Sequence, residues 1–268
     1  MVENFQFKSK YNFDDLVYIT HILRSPGGCP WDREQTHESI RRDFIEETYE
    51  VIEAINKKSP EMLCEELGDI LLQVTLHTEM ETEKGVFTID DVADGVCKKL
   101  IERHPHVFGQ VKVNGTDDVL NNWDQIKKAE KNQKTQTDSM LSVPREFPAL
   151  MRADKVQKKA AKVGFDWDDS KGAFDKVLEE LDELKEAVVL GEQKSIDEEF
   201  GDLLFSIVNV SRFIHSDSEQ CLTNATDKFI DRFAKVEQMA KEQNIDMKSA
   251  GIEKLDELWE KAKASEKE

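Results

Sequence analysis

A chain of 268 residues with 56 acidic and 37 basic side chains carries a formal charge of −19, which excludes nonspecific binding to nucleic acid polymers or anionic membrane surfaces by charge alone. Hydrophobic residues at 38% suffice for modest helical cores, and 35% charged residues with few prolines and glycines suit exposed helices in one or two domains. Cys29, Cys64, Cys97 and Cys221 form no CxxC pair, Met1 to Lys10 lacks the apolar centre of a signal peptide, and no apolar run reaches membrane-span length; the expectation is a reduced, cytoplasmic protein with no membrane partner.

The first helical pattern runs from Phe13 to Leu23, with Leu16, Ile19, Ile22 and Leu23 on one face. Ser25-Pro26-Gly27-Gly28-Cys29-Pro30 breaks it, Trp31-Asp32 follows, and a second helix is expected from Glu38 to Lys57. Ser59 caps a third, Glu61 to Lys84, with Pro60 at its first position. Gly85 ends that helix. Asp90 to Arg103 is helical until His104-Pro105-His106 stops it, residues 106–118 read as irregular, and Asn121 to Lys134 is a polar helix bearing Trp123. A polar stretch from 131 to 147 reads as a linker between two domains, 10–130 and 148–268. Beyond it come Ala149 to Lys162, Ala173 to Leu190, a break at Gly191, then Ser195 to Ile214, Glu219 to Gln243 and Gly251 to Lys263. The fold class is all-α.

The two halves repeat. Glu46-Glu47-Thr48-Tyr49-Glu50 and Glu66-Leu67-Gly68-Asp69 recur as Glu179-Glu180-Leu181-Asp182-Glu183 and Glu199-Phe200-Gly201-Asp202, and 179 − 46, 183 − 50, 199 − 66 and 202 − 69 all equal 133. Lys99 to Arg103 matches Lys228 to Arg232 at an offset of 129, and Trp123 with Lys127 matches Trp259 with Lys263 at 136. The chain is therefore two copies of one helical module built around acids.

Glu180 and Glu183 share a helix face, as do Glu199 and Asp202. The residues after each second pair, Leu203 to Val210 and Ile70 to Leu76, are apolar almost all round, which predicts a buried helix and places charge beside a core. Crowded carboxylates repel and must protonate or bind cations, and oxygen-only ligands favour hard cations such as magnesium. The candidate ligands are Glu180, Glu183, Glu199 and Asp202, with a second set Glu47, Glu50, Glu66 and Asp69. A merely solvated acidic face is the alternative, and the repeated spacing argues against it. Lys228 and Arg232 share a face and are candidate phosphate partners. Trp259 either stacks on a base or caps the bundle core. Asn209 stands where the first copy has Leu76 (209 − 133 = 76), two turns beyond Asp202, and could read a sugar hydroxyl or orient a ligand as leucine could not.

At these residues the chain resembles the MazG family of nucleoside triphosphate pyrophosphohydrolases, whose signature is Glu-Glu-x-x-Glu, a spacer and Glu-x-x-Asp. Both copies fit, as do Cys29-Pro30-Trp31-Asp32, Arg103 to Phe108, Val163 to Trp167 and Gly201 to Phe205. The resemblance covers nearly the whole chain. It implies tandem helical bundles whose sites form in a homodimer, and hydrolysis of NTPs and dNTPs to monophosphate and pyrophosphate with Mg²⁺, or Mn²⁺ in its place. It also implies a housekeeping role in clearing unwanted nucleotides. In that reading Glu179 orients or deprotonates the attacking water, Lys228 and Arg232 hold phosphate oxygens, and Trp259 and Lys263 close over the nucleotide. The second half is then the main catalyst.

Three rivals remain. A ferritin-like di-metal oxidoreductase needs Glu-x-x-His on two helices, and only Glu34 with His37 fits; His104 and His106 flank a proline and read as a helix stop. A non-catalytic acidic regulator or scaffold predicts no metal dependence. A narrower dUTP-type or phosphoribosyl-ATP pyrophosphohydrolase is the third.

Overall fold

The computed structural model describes residues 5–130 and 133–265, the side chains at 121, 124, 125, 128 and 129 excepted. Among the described residues there are thirteen helices and no strand, as the composition and periodicity require. None is long and apolar enough to cross a membrane. The chain divides into two compact units, Met1–Lys127 and Lys128–Glu268.

In the first unit α1 (Phe13–Arg24), α2 (Pro30–Glu34), α3 (Arg41–Asn56), α4 (Pro60–Thr82), α5 (Ile89–Arg103), α6 (Pro105–Phe108) and α7 (Thr116–Glu130, whose end passes the unit boundary) follow in order. Local chemistry sets their ends. Asn12 and Asp15 form a capping box on α1, Thr88 and Asp91 do the same for α5, and the Ser59 hydroxyl caps α4 beside Pro60. α3 packs antiparallel on α4, and α1 crosses α4 on another face. Ile40, Leu76 and Met80 are buried together with Leu72 against them, forming the apolar centre of the unit.

α1 is tied to α4 by polar groups. The Thr20 and Thr75 hydroxyls lie 3.1 Å apart, His21 Nδ1 is 2.7 Å from Glu79, and buried Arg24 donates to Glu83 at 2.7 and 3.0 Å and to the carbonyls of Asp32 and Gln35. Arg24 thus satisfies carbonyls at the end of α2, a helix that the proline- and glycine-rich sequence did not predict. His37, the histidine of the lone Glu-x-x-His, stacks on His77 and meets Glu81 at 2.7 Å, and His104 ends α5 with its ring 2.6 Å from the Leu100 carbonyl.

The second unit holds α8 (Gln136–Leu141), α9 (Ala149–Ala161), α10 (Ser170–Leu190), α11 (Gln193–Phe213), α12 (Ser218–Glu242) and α13 (Gly251–Ala264). α10 and α11 form the closest helix pair, with α9 against α11 and α12, and α13 against α12. Val236, Ala240, Leu258 and Ala262 bury the α12–α13 seam.

Two differences from the sequence reading concern boundaries. The stretch expected to be a linker contains α8, whose Thr135–Asp138 capping box starts a helix and whose Ser139 accepts from Lys159 at 2.7 Å. The polar helix expected at 121–134 starts at Thr116, where the Asp118 carboxylate accepts from the Asn114 amide at 3.0 Å; residues 131 and 132 of that expectation lie outside the described residues.

The third difference is larger. α4 and α11 were expected to be buried all round, yet Leu67, Leu71, Phe200, Leu204, Phe205 and Ile207 are 40–52% exposed. Each helix buries one side within its own unit, and the described residues of that unit leave these side chains exposed.

Candidate functional site

Antiparallel packing of α10 on α11 brings together acids that lie nineteen positions apart, Glu180 and Glu199. Ligand oxygens of Glu180, Glu199 and Asp202 lie within 4.8 Å of one another, and so do those of Glu179, Glu180 and Glu183. Glu180 belongs to both groups and is 5% exposed. The first unit repeats the arrangement with Glu47, Glu66 and Asp69 on α3 and α4; Glu50 lies near enough for its charge to act on Glu47 and Glu66.

The links that create this geometry are short and turn the same way. Lys58, between α3 and α4, has φ +51°, and Gly191, between α10 and α11 at the equivalent place (191 − 133 = 58), has φ +77°. Both occupy the left-handed region common just after helix ends.

The electrostatics are those of crowded acids. Burial, then the charges of Glu183, Glu180 and Asp202, raises the Glu199 carboxyl above the ordinary glutamate range. Burial, then Asp69, Glu50 and Glu66, does the same to Glu47, and burial, then Glu50, to Glu66.

The sequence reading missed Lys176. Its ammonium meets Glu180 at 2.6 Å and Glu179 at 2.7 Å, and those hydrogen bonds hold its pKa well above the ordinary lysine value. The i,i+4 spacing to Glu180 was the available signal. The first copy has Asp43 at this place (176 − 133 = 43), so its cluster has no matching ammonium.

The donor set fits a hard divalent cation: it is all carboxylate, is drawn within a few ångströms, and is held partly out of water against its own repulsion. A sign follows for stability. A folded pKa above the unfolded value means that the folded protein binds the proton more tightly, so ionised Glu199 destabilises the fold at pH above its raised pKa. Glu199→Gln is expected to melt higher than wild type in EDTA at pH 7. The difference is expected to shrink as pH falls through the raised Glu199 pKa, in melting curves taken at several pH values. A Glu199→Gln protein that melts lower at pH 7 would show that the carboxylate is paired, not crowded.

The other expected site residues form two groups. Lys228, Arg232, Trp259 and Lys263 sit on the α12–α13 pair. Lys228 lines a shallow groove with Asp227 and Asp231, Arg232 lies over the Trp259 ring at 5.9 Å, and Lys263 meets Glu260 at 3.2 Å. Trp259 also packs on Phe229 at 5.1 Å and on the Leu258 cluster; the first unit repeats the Arg-over-Trp contact with Arg103 and Trp123 at 5.9 Å. Asn209 stands apart from that pair on α11, where its side-chain oxygen accepts from Arg212 at 2.6 Å and Arg212 forks onto Asp166 at 2.6 and 3.3 Å. These side chains border a cavity of about 410 Å³.

The two copies differ there. Ile40, Leu72, Leu76 and Met80 fill the centre of the first unit; 133 positions later stand Ala173, Phe205, Asn209 and Phe213. A small residue and an amide have replaced an isoleucine and a leucine.

Comparison with known proteins bears on this geometry. The MazG nucleotide pyrophosphohydrolase domain matches twice, at residues 35–108 and 170–237, spans that contain both acidic clusters. A protein of Thermotoga maritima named nucleoside triphosphate pyrophosphohydrolase/pyrophosphatase MazG is 48% identical over 95% of this chain and 96% of its own length. The nucleoside triphosphate pyrophosphohydrolase of Escherichia coli K12 is 42% identical over 94% of this chain and 97% of its own. A Bacillus subtilis protein, YabN, named as uncharacterized, is 47% identical over 96% of this chain and 53% of its own length.

Proposed function

Because the chain belongs to the MazG nucleotide pyrophosphohydrolase family, we infer that it is a hydrolase acting on nucleoside triphosphates, NTP and dNTP, and releasing the monophosphate and pyrophosphate. The observation that carries this reading is the duplicated carboxylate cluster, which lies within both matched spans. Removal of unwanted nucleotides is the role that goes with it.

In the second unit Glu180, Glu183, Glu199 and Asp202 would hold Mg²⁺, or Mn²⁺ in its place. The cation supplies charge neutralisation of the triphosphate and of the charge that develops on hydrolysis. Glu179, exposed at the rim and restrained by Lys176, would orient a water and take its proton. Lys228 and Arg232 would hold phosphate oxygens, with Trp259 and Lys263 on the neighbouring helix closing the nucleotide side. Glu47, Glu50, Glu66 and Asp69 form a second cation set in the first unit.

A homodimer is supported by the apolar side chains left exposed along α4 and α11, since contiguous apolar surface of this kind marks an interface. The second unit is the main catalyst in this reading, because its cluster has an ammonium where the first has Asp43, and a cavity borders α11 where α4 packs Leu72, Leu76 and Met80 on Ile40.

The test is product analysis with a panel of NTPs and dNTPs, in Mg²⁺ and in EDTA. Monophosphate and pyrophosphate in equal amounts, abolished by EDTA, are expected. Orthophosphate as the first product would overturn the pyrophosphohydrolase chemistry, and no turnover of any nucleotide would leave a metal-independent regulator as the better reading.

A further inference from the structure

We propose that His37 and His77 form a proton-operated latch in the first unit, closed while a single proton lies between them and opened when each ring carries its own, so that acidification releases the link between α2 and α3 from α4. The latch goes beyond the hydrolytic reading and does not depend on it.

The contact itself sets the condition. The two Nδ1 atoms lie 2.7 Å apart, so one donates and the other accepts; two lone pairs, or two N–H groups, would repel there. His37 is the ring placed to donate. Its Nε2 lies 2.7 Å from the Glu81 carboxylate, which also accepts from Lys84 at 2.6 Å. A charge on His37 is therefore paired, and each of its ring nitrogens faces an acceptor. The Lys84 hydrogen bond, then that of His37, holds the Glu81 carboxyl below the ordinary glutamate value, so it stays ionised while histidines titrate. His77 meets the His37 ring and, at 5.8 Å between centroids, the Phe44 ring of α3. Burial, then the charge of His37, holds its pKa below the ordinary histidine value. The first proton belongs to His37, and the second turns the acceptor into a donor.

Other charges around the pair are few. Glu38 on the link lies near enough to act on His37 and Lys84. Glu79, with its partner His21 of α1, is two positions past His77 and so on the far side of α4. Asp91 of α5 is taken up by its capping box with Thr88.

The link is built to move as a piece. The Thr36 amide donates to the Ser39 hydroxyl at 2.9 Å, the Ser39 amide to the Thr36 hydroxyl at 3.2 Å, and the Ser39 hydroxyl to the Gln35 side chain at 2.7 Å. It is fastened by Arg24 on the Gln35 carbonyl, by His37 on α4, and by buried Ile40 in the core. Ile40 immediately precedes α3, so letting go of His37 loosens the start of the helix that carries Glu47 and Glu50. In the second unit Ser170, Val210 and Ile214 stand 133 positions after His37, His77 and Glu81, and none of them titrates.

The sign follows from His77. A folded pKa below the unfolded one means that protons favour the open form. The latch contributes fully above the ordinary histidine value of 6.5 and is lost as pH falls through it towards the folded value. Each unit of depression corresponds to about a tenfold rise in opening.

The experiment follows the full chain, its histidine rings isotopically labelled, by nitrogen NMR from about pH 8 to about pH 5, with deuterium uptake of segment 35–44 measured alongside. His77 is expected to titrate below 6.5. Uptake, corrected for intrinsic exchange, is expected to rise about tenfold per unit of that depression, while segments of the second unit stay level. In His77→Asn, whose amide oxygen accepts from His37 at any pH, the rise is expected to vanish. A His77 ring titrating at or above 6.5 in wild type, or uptake that stays level as His77 takes its proton, would overturn the latch. So would an undiminished rise in a folded His77→Asn protein. If melting curves show that variant unfolded, the two wild-type readouts decide alone. None of these measurements involves turnover, so failure of the latch and failure of the enzyme reading stay separate.

Discussion

Glu180→Gln is expected to lower kcat/KM for nucleoside triphosphate hydrolysis by at least about a hundredfold, since loss even of groups that only orient metal ligands costs about 10–100-fold. Glu180 is the one side chain common to both carboxylate groups of the second unit, the most buried of them, and a partner of Lys176. The substitution keeps the shape and a hydrogen-bonding oxygen while removing the charge that a cation requires. Glu47→Gln, its counterpart (180 − 133 = 47), is expected to leave most of the activity, because the first cluster has Asp43 where the second has Lys176 and packs Ile40, Leu72, Leu76 and Met80 beside it. Steady-state kinetics with Mg²⁺ and calorimetric titration with Mn²⁺ check both, with melting curves as a control for folding. Near-wild-type turnover by a folded Glu180→Gln protein would sink the assignment of the cation to this cluster. Equal losses from both substitutions would mean two working centres.

The second large effect is on stability. Leu258→Ala is expected to cost about 3 kcal/mol, within the range of roughly 2–5 kcal/mol for emptying a leucine site that cannot collapse. Leu258 is 0% exposed and packs between α12 and α13 on Val236, Ala240 and Ala262. Those three side chains have no length to spare for refilling the space: Ala240, Ala262 and β-branched Val236. Because Trp259 rests on the same cluster, the variant is also expected to lose the Trp259 contacts with Phe229 and Arg232. Urea unfolding followed by circular dichroism and by tryptophan fluorescence checks the pair of effects. A loss below about 1 kcal/mol would show that the seam repacks.

The helices were legible wherever apolar periodicity, a cap and a breaker agreed, as at Ser59-Pro60 and Gly191. α2 and α8 were missed because five- and six-residue helices are too short to show a period. α2 is held by Arg24 from another helix, a contact that no local signal carries. The acids were legible because duplication kept their register. Lys176 could have been found from its spacing to Glu180, whereas the Arg212 fork onto Asp166 could not: it joins residues 46 positions apart and exists only once the chain around Asp166 lies against α11. The expectation of fully buried α4 and α11 went wrong for a physical reason. An apolar surface says that something covers it, and says nothing about whether the cover belongs to the same chain.

The left-handed links at Lys58 and Gly191 have a consequence for how a cation would bind. Each joins two acid-bearing helices through two or three residues, with the turn fixed by one backbone angle and by hydrogen bonds from the Lys58 amide to the Ile55 carbonyl at 3.0 Å and from the Gly191 amide to the Ala187 carbonyl at 3.0 Å. The separation of the two acid pairs is therefore settled when the helices pack, and only side-chain torsions are left to adjust. The ordering entropy of the ligands falls mostly on folding and little on loading, which favours rapid exchange of the ion over slow capture. It also makes the helix-connecting angle, more than the identity of the residue that adopts it, the feature that the two copies hold in common.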